Sequence, residues 1–145
     1  MLNNSDILII DDNLLDVELI VVSLKNNKIS NDILIFKEAE EALDYLYCKG
    51  KYEQKNIKNA PKLIMLNNKL QKNNSLETLK KIKKNDHTNT IPIIILSSFS
   101  DKNDIKECYK LGANSYIIKP VEYNEFSDTI CIIARYWLFF NKTPL

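Results

Sequence analysis

Short apolar runs alternate with amphipathic stretches along the whole chain. The first run, Asp6–Ile10, is apolar at every position after its aspartate, as expected of a strand covered on both faces. Asp11-Asp12-Asn13 follows, a polar group able to cap a helix, and Val17, Ile20, Val21 and Leu24 then recur at helical spacing. Asp32–Phe36 predicts a second strand, and Ala39, Ala42, Leu43 and Leu46 a second helix. From Cys48 to Pro61 the pattern is lost in a polar, lysine-bearing loop bounded by Gly50 and Pro61. Lys62–Leu66 predicts a third strand, and Leu76, Leu79 and Ile82 a third helix. Ile91–Leu96 is dense in β-branched residues and predicts a fourth strand. Ile105, Cys108 and Leu111 mark a fourth helix, ended by Gly112. Ser115–Ile118 completes the strands, and a fifth helix runs from Glu122 to about Phe140.

Five strand-then-helix units with continuous apolar strands predict an α/β fold, a parallel sheet between two layers of helices. Right-handed crossovers restrict this to a doubly wound three-layer sandwich, with the flavodoxin-like strand order 2-1-3-4-5 expected. The 145 residues suit one domain, with a core over about residues 5–140 and a short tail over 141–145. No DNA-binding domain is expected after the fifth helix, and any effect on transcription is expected to pass through a partner. An apolar fraction of 45% supplies a core and argues against disorder, and a net charge of +1 implies neither nucleic acid nor an anionic membrane. The three cysteines, Cys48, Cys108 and Cys131, are scattered, which fits a reducing cytoplasm better than a disulfide framework. The first residues are polar, and no apolar run approaches the roughly 20 residues that span a bilayer. A soluble, cytoplasmic protein is expected.

In a doubly wound sheet the working site lies at the carboxyl ends of the strands, near the reversal of strand order. There the sequence places Asp11 and Asp12 after strand one and Asn67 after strand three. Ser97 and Ser98 follow strand four, and Lys119 and Pro120 follow strand five. Paired carboxylates suit Mg²⁺, and a metal with a lysine neutralises charge on a phosphoryl group in transfer. The set lacks a nucleophile: Asn67 carries an amide where a carboxylate would attack, and its nitrogen has no available lone pair.

The spacing of Asp11-Asp12, the strand-three position, Ser97 and Lys119-Pro120 resembles that of bacterial response-regulator receiver domains, the CheY-like family, over almost the whole chain. It is most similar to single-domain receivers that pair with phytochrome-type sensor kinases, on the segments Asp11–Val17, Glu40–Leu46 and Tyr116–Val121 and the long loop before Pro61. The resemblance implies a phosphorelay signalling module rather than an enzyme. It implies that Asp11 and Asp12 hold Mg²⁺ with the backbone carbonyl of Lys69. Ser97 would follow the phosphoryl group, Lys119 would bridge acceptor and phosphoryl group, and Tyr116 would be an aromatic switch that turns inward as the hydroxyl moves.

The departures from that family gather in one loop. Asn67 replaces the acceptor aspartate, Gln71 stands where proline is usual, and Ser75 where glycine is common. The expectation is a degenerate receiver, a phosphate-independent interaction module that binds a sensor histidine kinase, a downstream signalling protein or its own copy. Removing one carboxylate should stabilise the metal-free domain and weaken Mg²⁺ binding, since like charges at about 4 Å repel by roughly 4 kcal/mol at an effective dielectric near 20. A second reading keeps phosphotransfer, with Asn67 an engineered substitution or with Ser97 or Asp12 taking the phosphate. A third is a pocket for a small anion at Lys119.

Other features have ordinary explanations. Lys80, Lys81, Lys83 and Lys84 read as a solvated face, His87 as a loop histidine, and the cysteines as buried or incidental. In the last helix Phe126, Ile130, Ile133 and Trp137 should face the sheet, while Ile132, Tyr136, Leu138, Phe139 and Phe140 put apolar bulk on other faces. That second face predicts a homodimer through helix four, strand five and helix five, with packing of the 141–145 tail as the simpler alternative.

Overall fold

The computed structural model describes residues 6–53, 60–68, 70 and 75–144. Five parallel strands, β1 (Ile7–Ile10), β2 (Ile33–Phe36), β3 (Leu63–Asn67), β4 (Ile93–Ser97) and β5 (Ser115–Ile118), form one sheet in the order 2-1-3-4-5. Five helices connect and flank them: α1 (Leu14–Asn26), α2 (Ala39–Leu46), α3 (Ser75–Lys84), α4 (Lys102–Lys110) and α5 (Tyr123–Arg135). This is the doubly wound sandwich that the apolar pattern predicts.

Alternation along each strand divides the core in two. Leu8, Ile10, Ile64, Leu66 and Ile95 join α2, α3 and α4 through Leu43, Leu46, Leu79, Ile82 and Cys108. Ile7, Ile9, Leu63, Met65 and Ile94 join α1 and α5 through Val17, Ile20, Leu24, Phe126 and Ile130. Each buried Ile or Leu contributes about 1.5–3 kcal/mol, so the two layers carry most of the stability. The strands are in step: Leu66 lies opposite Ile10 and Ile95, and Ser97 opposite Ile118. Asp11, Asn67, Ser97 and Lys119 are therefore delivered to one edge by register alone.

Strand bounds move by a residue or two. Asn67 and Ser97 are the last residues of β3 and β4, and Ile91 and Pro92 precede β4 although Ile91 is buried. Gly112 does end α4: its φ is +104°, and the N–H of Ala113 returns to Cys108 O at 3.0 Å.

Two expectations are corrected. Leu138 is buried, because α5 passes into a π turn, Tyr136–Phe140, closed by Asn141 N–H to Tyr136 O at 2.7 Å. The wider turn puts Leu138, five residues after Ile133, on the core side, while Trp137 packs at its margin. Lys83 is not a solvated lysine. Its half-buried ammonium donates to Asn89 O at 3.2 Å, Ile91 O at 2.9 Å and Asn114 Oδ1 at 2.9 Å, and burial lowers its pKa. The sequence pattern could not show this, because the acceptors are carbonyls of the next loop and an amide from another unit. Among the described residues, no helix is long and apolar enough to cross a membrane.

Candidate functional site

The chain leaves β1 at Asp11, whose Oδ1 accepts the N–H of Asn13 at 2.9 Å. Helix α1 is capped by Asn13, which accepts from Asp16 N–H at 3.2 Å, so Asp11 does not cap it. This frees Asp11 Oδ2 to face the cleft, where it is fully buried and without a hydrogen-bond partner. Burial drives the pKa of Asp11 up to about 6, with Asp16 and Asp12 adding repulsion. The Asn13 N–H and Lys119, whose Nζ is 4.0 Å from Oδ2, oppose that rise.

Lys119 follows β5 and reaches back across the sheet edge. Its buried ammonium donates to Asn67 Oδ1 at 2.9 Å and to Asp16 Oδ2 at 2.6 Å. The amide oxygen of Asn67, rather than its nitrogen, must face the ammonium. Asp16 was not among the residues singled out from the sequence. Its signal was its place in the first turn of α1, one helical turn after Asp12, on the side facing the cleft.

Asp11, Asn67 and Lys119 thus come together with Asp16, and Asp12 is next to them in the chain, half-buried. Ser97 is buried; its hydroxyl donates to Phe99 O at 3.2 Å, accepts from Phe99 N–H at 3.0 Å, and is also a hydrogen-bond partner of the Tyr116 hydroxyl. Ser98 is exposed. Ser75 Oγ donates to Asn67 O at 2.9 Å and accepts from Leu70 N–H at 3.3 Å, closing the acceptor loop on itself. Lys69 and Gln71 lie outside the described residues.

Beside this cleft a second group forms around Tyr116, whose pKa burial raises. The Tyr116 hydroxyl is 3.1 Å from both Phe99 O and Asp104 Oδ2, and it accepts from Asn68 Nδ2 at 3.2 Å. Asn68 Nδ2 also donates to Asp104 Oδ2. Phe99 and Asp104 belong to no strand-end pattern, and Asn68, though it follows β3, finds its partners only in α4 and β5, so sequence did not single them out.

Part of the donor set suits a hard cation. Asp11 Oδ2 is an orphaned carboxylate oxygen and Asp12 is adjacent, but Asp16 is turned to Lys119. Among the described residues, no three His, Cys, Asp or Glu side chains form a metal-binding group. Cys108 and Cys131 are buried, and burial pushes the Cys108 thiol up to about 11.

Comparison with known proteins gives the family and the fold. The response regulator receiver domain family matches residues 7–130. Response regulator Rcp1 from Synechocystis sp. is 28% identical over 132 residues, covering 91% of this chain and 88% of its own. The probable methanogenesis regulatory protein FilR2 of Methanothrix harundinacea is 28% identical over 138 residues, covering 95% and 86%. The crystal structure of a phosphorylated cyanobacterial phytochrome response regulator, RcpA, superposes with a TM-score of 0.89 at 28% identity over 99% of this chain and 100% of that one. The Mn²⁺-bound form of Rcp1 superposes with a TM-score of 0.86 at 27% identity over 96% and 98%.

Proposed function

The chain belongs to the response-regulator receiver family of two-component signal transduction, and we propose that it acts as a degenerate receiver, a cytoplasmic protein-interaction module that does not switch by aspartyl phosphorylation and is not an enzyme. One observation carries this reading: Asn67 Oδ1 accepts from Lys119 Nζ at 2.9 Å, where an attacking carboxylate oxygen would stand. An amide holds the lysine but offers no nucleophile.

Within the site, Asp11 and Asp12 would hold a divalent cation together with the Lys69 carbonyl. Such an ion would supply neutralisation of charge on a phosphoryl group. The family includes a Mn²⁺-bound relative, and Mg²⁺ is the ion proposed here, bound more weakly than with an aspartate at position 67. Lys119 keeps its place through Asp16 and Asn67 instead of through an acceptor carboxylate. Ser97 is a poor substitute acceptor, because its hydroxyl is engaged with Phe99 and no base touches it in the described contacts.

Its partners would be a sensor histidine kinase, a downstream signalling protein and a second copy of this chain. The face made by α4, β5 and α5 supports the last. Tyr109, Ile118, Tyr123, Ile132, Tyr136 and Phe140 are exposed there or on the turn that follows, and the described part of the tail leaves them exposed. The test is light scattering with and without Mg²⁺ and a small phosphodonor. A dimer that the phosphodonor does not alter is expected. A phosphodonor-dependent change in mass would overturn the reading.

A further inference from the structure

Asn68 follows the last residue of β3 and is buried, its N–H bound to Leu96 O at 2.8 Å. Its side-chain NH₂ has two protons, and both are used. One goes to Asp104 Oδ2 in the first turn of α4, and the other to the Tyr116 hydroxyl in β5 at 3.2 Å. That hydroxyl has one proton to give, to Asp104 Oδ2 or to Phe99 O, each at 3.1 Å. Phe99 is also the residue that exchanges bonds with Ser97 Oγ. The end of β3, the loop after β4, the start of α4 and the middle of β5 are thereby joined in one network.

Its centre needs a hydrogen-bond donor, and the Asn68 amide supplies it twice. A carboxylate at position 68 would face Asp104, and an apolar side chain would leave the Asp104 carboxylate and the Tyr116 hydroxyl without this donor. The Tyr116 ring packs against the core layer beneath α4, with its hydroxyl held at the Ser97 loop. Asn68, Phe99 and Asp104 each contribute a bond to that hydroxyl.

We propose that Asn68 is a positioning residue that locks Tyr116 and the first turn of α4 in one arrangement, fixing the face of α4, β5 and α5 without a phosphoryl group. The proposal rests on the phosphate-independent reading above and adds the device that replaces the switch. The interaction face is then always in its binding form, and its partner selects it by encounter alone.

Hydrogen–deuterium exchange on the 145-residue chain tests this, comparing wild type with Asn68→Leu, Tyr116→Phe and the double variant. In Asn68→Leu, exchange in the first turn of α4 and in β5 is expected to rise on the order of ten-fold, with β1 and α1 unchanged. The double variant is expected to exceed neither single variant by much, because both act on one network. Unchanged α4 exchange in Asn68→Leu, or fully additive effects, would overturn the lock. Should Asn68→Leu not fold, Asn68→Ala with Tyr116→Phe gives the same cycle with a smaller side chain, and additivity there overturns it equally. Addition of Mg²⁺ and phosphodonor to wild type separates the two claims. An exchange response there sinks the phosphate-independent reading, whereas an unresponsive wild type beside an unchanged Asn68→Leu sinks only the lock.

Discussion

An aspartate in place of Asn67 should destabilise the metal-free protein by about 1–3 kcal/mol at neutral pH. The new carboxylate would stand 2.9 Å from Lys119 Nζ, an attraction of about 6 kcal/mol at an effective dielectric near 20. Lys119 is already shared with Asp16 at 2.6 Å and Asp11 at 4.0 Å. Oxygens that contact one ammonium cannot be far apart, so the new charge would lie within about 5.5 Å of Asp16 and about 7 Å of Asp11. Those two repulsions together reach at least about 5 kcal/mol on the same scale, and Asp12 adds to them. The Coulomb terms therefore nearly cancel. What remains is the cost of ionising a carboxylate at a position only 9% exposed. Urea unfolding followed by the fluorescence of Trp137, in chelator, is the assay. Wild type should be the more stable at pH 7.5, and the gap should shrink toward pH 5 as Asp11, with its pKa of about 6, takes up a proton. Mg²⁺ should narrow or invert the gap through the variant while moving wild type little. A variant equal to or more stable than wild type in chelator would refute the reasoning.

Asp11 gives a pH dependence of its own. Its folded pKa, about 6, lies above the ordinary 3.8, so the folded state holds the proton more tightly. Metal-free stability should fall as pH rises through that window, by about 3 kcal/mol at most, and Asp11→Asn should flatten the profile between pH 4 and pH 7 (roughly this interval) in chemical denaturation. Gly112→Ala should cost about 1–3 kcal/mol in thermal unfolding, because φ is +104° and a Cβ would meet Lys83 Cγ at 2.9 Å. Lys83→Met should cost about 1–3 kcal/mol by the same assay, since Asn89 O and Ile91 O lose a charged donor. Phe140→Asp should shift the proposed dimer to monomer in light scattering while leaving the unfolding midpoint close to wild type, since the ring is 74% exposed.

The sheet was legible because strands buried on both faces leave continuous apolar runs, and their order follows from handedness. The same runs placed Asp11, Asn67, Ser97 and Lys119 at one edge, and register keeps them there. What escaped lies where the chain's spacing is not the spacing of its neighbours. Asp16 belongs to a helix, yet its carboxylate competes for a lysine 103 positions away. Asn68 carries no signal in the sequence beyond its place after strand three, and its contacts appear only once α4 and β5 are beside it. Lys83 had the pattern of a surface lysine while its acceptors came from other segments. Leu138 was assigned to the wrong face because one π turn shifts helical phase by a residue.

The central claim is that the chain is not switched by aspartyl phosphorylation because Asn67 offers no nucleophile. Its most direct test is intact-mass spectrometry after incubation with Mg²⁺ and a small-molecule phosphodonor, on wild type beside Asn67→Asp. A phosphate-sized gain in the variant only is the predicted result. The same gain on the wild-type chain would contradict the claim and point to another acceptor.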